Sequence, residues 1–157
     1  MVGLLGAMAS AMIVAEHDGH RGPAAACDRA EVMLRGPEAS QVRVEAEVAD
    51  TAATRARGLK ERRHLAWGRG MLFLWPQPGD HRMWMADTYI SLDMVFANGS
   101  DVVGVVEGAE PGSRQQLGVD AAVDRVLEVR AGFVERYGID GSWRLGVAHQ
   151  AAPVCEG

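Results

Sequence analysis

The sequence predicts a mostly β domain of the α+β kind, a compact antiparallel sheet or small barrel-like core carrying two short helices. Three observations lead there. Residues Gln41 to Ala49 alternate strictly, with Val42, Val44, Ala46 and Val48 on one side and Arg43, Glu45 and Glu47 on the other, which is the period of a half-buried strand. Further along, short apolar runs are repeatedly bounded by glycine, proline or asparagine, as buried strands and their turns are. Helical patterning is confined to two short segments near Ala52 to Arg57 and Ala131 to Tyr137, each running into a glycine, Gly58 and Gly138, where a helix can stop in a left-handed cap.

Taken in chain order, Glu31 to Arg35 is a short apolar run that precedes the alternating strand. Asp50 or Thr51 can N-cap the first helix, whose Ala52, Ala53 and Ala56 favour helix. Lys60 to Gly68 is a charged surface loop from which Leu65 and Trp67 turn inward. Met71 to Trp75 is continuous and apolar, too short for an independent helix. A turn over Gln77 to Asp80 follows, then strands at Arg82 to Met85 and Ile90 to Ala97. Asn98-Gly99 signals a hairpin into Asp101 to Val106. These strands are expected to form an antiparallel meander. Gly108 to Asp124 reads as a long loop, of the sort that often belongs to a binding site. Strands at Arg125 to Val129 and Trp143 to Ala148 flank the second helix and complete the core.

The chain has 157 residues and a net charge of -5, enough for one core and without a basic stripe for phosphate contacts. Nucleic acid is therefore not an expected partner. The first fifteen residues are apolar or small and are followed by the polar EHDGHRGP, which resembles a secretory segment too short to span a bilayer. Residues 1–26 are read as an export segment and linker, and 27–157 as one domain in the periplasm or outside the cell, with no stable membrane insertion after processing. Cys27 and Cys155 bracket that domain, the placement of a disulfide staple in an oxidising compartment. In the chain-entropy model such a loop adds about 4 to 5 kcal/mol.

Residues Gly70 to Phe96 hold four of the eight methionines together with Trp75 and Trp84, so binding chemistry is sought there. Alternation puts His81, Met83 and Met85 on one side and Arg82 and Trp84 on the other. It likewise groups Leu92, Met94 and Phe96 apart from Asp93, which makes Asp93 the acid held closest to an apolar surface. The first functional reading is a non-catalytic envelope binding module. Trp84, Asp87, Thr88 and Asp93 would surround a cleft for a small polar organic ligand, sugar or peptide-like, under the loop at Glu110 to Asp120. The architectural alternative makes Trp84 a core residue and Asp93 an acceptor for backbone amides. A second function is a small hydrolase using paired Asp87 and Asp93, and a third is soft-metal binding, copper in particular, by His81, Met83 and Met85. No metalloprotease, serine-hydrolase or phosphate-loop motif occurs, and no cofactor is expected. Arg55, Arg57, Lys60, Arg62, Arg63 and Arg69 form a basic cluster, read as a solvated face.

GLKERR, RGMLFLWP, MWMADTYISLDMVF, VVEGAEP and VLEVRAGFVERYGI, in that order, resemble the domain-of-unknown-function family 192 from about Val42 to Val147. The resemblance implies a small prokaryotic domain, often exported, mostly β with short helices, and with no established activity. The flanking cysteines look similar to those of exported proteobacterial members. The family commonly has lysine and asparagine where this chain has Ala86 and Asp87, methionine where it has Lys60, and proline where it has Ser91.

Overall fold

Alternation between Gln41 and Ala49 is realised as a strand with Val44, Ala46 and Val48 buried and Glu45 exposed. The computed structural model describes residues 29–151, so the cysteines, and with them the expected disulfide, lie outside the described residues. Within them the order is β1 (Arg29–Arg35), β2 (Gln41–Ala49), α1 (Ala52–Arg57), β3 (Arg69–Gly79), β4 (Leu92–Asn98), β5 (Asp101–Ala109), β6 (Val123–Arg130), α2 (Phe133–Tyr137) and β7 (Arg144–Ala151).

The strands form one mixed sheet in the spatial order β1, β2, β3, β6, β4, β5, β7, and β7 returns to pair with β1. The sheet therefore curls into a ring. Its seam between β5 and β7 is one residue pair, Asp101 opposite Arg144. An ion pair between those side chains at 3.1 Å and a Leu145 N–H to Ser100 carbonyl bond of 2.7 Å hold it.

The expected antiparallel meander is corrected in two respects. β2 and β3 are parallel, because α1 and the segment after it carry the chain back to its starting end before β3 begins, as a parallel crossover must. β3 and β4 are not neighbours: β6 lies between them and pairs antiparallel with both. With β2 on one edge of β3 and β6 on the other, no edge remains for a strand at Arg82 to Met85. That segment instead crosses the outer face, with a single bridge between Met83 and Leu117. The Asn98-Gly99 hairpin between β4 and β5 forms as expected, with Gly99 in the left-handed region at φ 58°. β3 also runs past Trp75 to Gly79, but Pro76 and Pro78 have no N–H to give, and the register with β6 shifts between Leu74 and Gly79.

Two apolar layers result. Every strand contributes to the first, inside the ring, among them Val32, Val44, Leu72, Val95, Val102, Leu127 and Leu145. Phe133 and Val134 of α2, with Trp143, pack into it. Gly36 is required there, since a Cβ on it would overlap the Trp143 ring. The second layer lies on the outside of β3, β6 and β4, where Met71, Phe73, Met94, Phe96 and Val126 are covered by Leu59, Leu65, Met83 and Met85. Burial on both faces explains why Met71 to Trp75 of β3 and Met94 to Ala97 of β4 read as unbroken apolar runs while β2 alternates. No helix among the described residues is long and apolar enough to cross a membrane.

Candidate functional site

Helix α1 is set by Thr51, whose side chain accepts the Thr54 N–H at 3.1 Å while the Thr54 hydroxyl accepts the Thr51 N–H at 3.0 Å. It ends at Gly58, φ 50°, where the chain turns so that Leu59 enters the outer layer. Opposite, the segment Met83 to Thr88 is fixed from behind by the loop after β5. The Met85 N–H donates to the Ser113 carbonyl at 3.0 Å, and the Gly112 N–H bonds the Met85 and Thr88 carbonyls at 3.1 and 3.0 Å. The loop at Glu110 to Asp120 thus buttresses this segment and does not cover the cleft, which corrects its expected role.

Between α1 and this segment the outer layer is left open, as a recess of about 210 Å³. Phe73, Trp75 and Trp84 supply aromatic wall, Thr88 a hydroxyl, and Arg55, Arg57, Lys60 and Arg82 a cationic border. Trp75 is held flat: His81 stacks on it at 4.4 Å between centroids and 9°, and the Arg55 guanidinium lies 5.6 Å from its centroid. Trp84 has no such company among the described residues and is 52% exposed.

Glu128 also lines the recess. Leu127 and Val129 turn into the ring, so alternation sends Glu128 outward, between Met71 on β3 and Met94 on β4. It is 4% exposed. Burial without a compensating charge pushes its carboxyl up from 4.5 to about 8, because removal from water disfavours the charged form. At neutral pH it is an uncharged acid, able to donate one hydrogen bond and accept another. None of the hydrogen bonds among the described side chains uses it, and no side-chain oxygen there is both sealed from solvent and unpartnered. Its oxygens therefore address the recess.

Of the four residues singled out from sequence, the structure brings Trp84 and Thr88 to this recess and places the other two elsewhere. Asp93 is fully buried. Its carboxylate accepts the Gly108 N–H at 2.8 Å and the Val134 N–H at 2.9 Å, fastening β5 and α2 to β4. That is the Asp93 part of the architectural alternative; its other part, Trp84 as a core residue, is corrected by the 52% exposure of Trp84. Asp87 adopts φ 62°, the left-handed region that aspartate and asparagine tolerate better than most residues, and its carbonyl accepts the Glu61 N–H at 2.7 Å. Its side chain is on the surface. The two aspartates are thus differently placed, Asp93 buried and bonded to backbone amides and Asp87 exposed. Of the soft-metal trio, Met83 and Met85 pack in the outer apolar layer, and His81 stacks on Trp75, which packs against that layer.

Sequence reasoning missed Glu128. The available signal was VLEVR, an acid between aliphatic neighbours in a strand whose other face also carries apolar Val126. The basic cluster, read as uniformly solvated, divides in the structure. Arg62 pairs with Glu47 and Arg69 with Glu45, and Arg63 lies over Tyr89. Arg55, Arg57 and Lys60 turn to the recess.

These features define a small ring-shaped mixed β domain with a cation-bordered, aromatic-walled recess on its outer face. The chain belongs to the DUF192 family, described as Uncharacterized ACR, whose model matches residues 35–146. It is similar to a Sinorhizobium meliloti protein of known structure, named as a candidate transcription regulator. That likeness has TM-score 0.73 and 32% identity, over 76% of this chain and 93% of that one. It is also similar to a protein of unknown function from Novosphingobium aromaticivorans, with TM-score 0.74 and 28% identity, over 80% of this chain and 89% of that one. Among functionally curated proteins no match is found. Lys60 and Ala86 both line the recess.

Proposed function

We propose that the chain is a non-catalytic binding module that holds a small polar organic molecule in the recess between α1 and Trp84. The observation that carries this reading is Glu128, an almost completely buried acid with no side-chain hydrogen bond among the described residues and an opening in front of it. A buried polar group is costly unless it is satisfied, and a ligand hydroxyl or carbonyl would satisfy it. Trp84 and Trp75 offer flat apolar surface for the ligand body, and Thr88 a second polar contact. Among the described residues Glu128 is the one carboxylate on the recess lining, so the two-acid arrangement of a hydrolase is not favoured.

Export is proposed with it, on the apolar start of the chain and the placement of Cys27 and Cys155. Arg29 of β1 pairs with Ala151 of β7, so the described chain reaches its two ends on neighbouring strands. That arrangement suits a terminal disulfide. Intact mass with and without reductant, after trapping of free thiols, tests it: two trapped thiols before reduction would contradict the staple.

The functional test is a thermal-shift screen of sugars, small peptides and metabolites on the wild type, Trp84→Ala and Thr88→Val. A true ligand raises the melting temperature of the wild type in proportion to its occupancy, raises those of the variants less, and is recovered unchanged. Stabilising compounds that act equally on all three proteins would place binding elsewhere, and conversion of the compound would make this an enzyme.

A further inference from the structure

The recess differs in sign from the molecule around it. The chain carries a net charge of -5, yet the charged groups on the recess lining are Arg55, Arg57, Lys60 and Arg82 against Glu128 alone. Two of the four cations are committed. Arg82 pairs with Asp80 at 2.5 Å, and Arg55 donates to the Asp50 and Leu74 carbonyls at 2.5 and 2.7 Å. Arg57 and Lys60 make no side-chain hydrogen bond or ion pair among the described residues. Their neighbours in sequence, Arg62 and Arg69, both find a glutamate. Arg63 also lacks such a bond but lies over the Tyr89 ring, away from the recess, so Arg57 and Lys60 are the cations beside the opening that have neither a hydrogen bond nor an ion pair among the described residues.

We propose that the recess selects an organic acid, whose carboxylate is met by Arg57 and Lys60 at the lip and whose flat or apolar body lies along Trp84 and Trp75 toward Glu128. The inference rests on the recess being the binding site. It adds the charge of the ligand and its orientation. An anion is favoured over a neutral molecule because two cations would gain a partner on binding. Glu128 does not oppose it, since burial keeps that carboxyl neutral near pH 7 and leaves it a donor toward a ligand oxygen. A single carboxylate suits one Arg and one Lys at an open lip. The aromatic walls add affinity for the organic part that a bare anion could not use.

The test is titration of the full chain with three acids, phenylacetate, indole-3-acetate and hexanoate, and with their three neutral amides, followed by the indole N–H signals in NMR spectra. Acetate serves as the bare anion. At least one acid is expected to bind, roughly tenfold tighter than its amide, and to shift the Trp84 signal. A variant with Arg57→Ala and Lys60→Ala, folded by its melting temperature, is expected to lose roughly five- to tenfold in affinity for the acid and little for the amide. Added salt weakens the acid only. Acid and amide binding equally, or an unchanged double variant, overturns the anionic class while leaving the recess reading in place. Acetate binding as tightly as the larger acids overturns the orientation. No Trp84-dependent binding by any of the seven up to about 10 mM overturns this inference. If the neutral sugars and peptides of the screen also fail, the recess reading falls with it.

Discussion

Replacing Glu128 by Gln should make the protein more stable, and by an amount that grows with pH. The folded carboxyl ionises near pH 8 and an unfolded one near 4.5. Between those values the native state keeps a proton that the unfolded state has lost, so wild-type stability falls as pH rises. Each unit of difference corresponds to about 1.4 kcal/mol. The ionisation cost carried by Glu128 is then about 1 kcal/mol at pH 5, about 3 at pH 7 and about 5 above pH 9. Glutamine has nearly the same shape, still donates a hydrogen bond, and does not ionise. Urea denaturation of wild type and Glu128→Gln between pH 5 and pH 9.5 isolates this contribution, because every other titrating group cancels in the difference. The expected difference curve climbs by about 4 kcal/mol over that range and levels off past pH 8, a large share of the stability of an ordinary domain. A constant offset from exchanging acid for amide is allowed. A difference that is flat with pH would refute the reasoning, since it would mean that Glu128 ionises in the native protein as readily as in the unfolded chain.

Three other substitutions follow from the geometry. Asp93→Ala strips two backbone amides of a charged acceptor and should lower stability by about 3 kcal/mol in urea melts without weakening any ligand that the recess binds. Thr51→Ala removes the reciprocal cap of α1 and should cost about 1 kcal/mol, with some loss of ligand affinity because α1 forms one wall. Gly36→Ala drives a methyl into Trp143 and should cost about 1 to 3 kcal/mol, visible as a shift in tryptophan emission along with a lower melting temperature.

The local devices were legible in the sequence, and the long-range pairings were not. β2 declares itself because its outer face is solvated and so alternates in polarity, the β4–β5 turn because Asn98-Gly99 needs left-handed backbone, and α1 because Thr51 and Gly58 are a start and a stop. The insertion of β6 between β3 and β4 leaves no such mark. Strands buried on both faces lose the alternation that would distinguish one neighbour from another. The same loss hid Glu128: in a half-buried strand an acid points to water, but the outer face of β6 carries a second apolar layer that includes residues from distant segments, and Glu128 is buried there. Asp93 was rightly read as held against an apolar surface, and the alternative that gave it backbone amides describes what it does. The alternation of Met83, Trp84 and Met85 was legible and survives without strand pairing, the methionines buried and Trp84 exposed, whereas Thr88 lies beyond it and is buried.

The most direct test is to map where a stabilising compound sits, by following backbone and indole N–H signals of labelled protein as the compound is added. The account predicts shifts concentrated at Arg57 to Lys60, at Trp84 to Thr88, and on the Trp75 and Trp84 indoles, with Trp67 unmoved beside α2. Shifts gathered around Trp67 and Tyr137 instead, with the Trp84 indole silent, would contradict it.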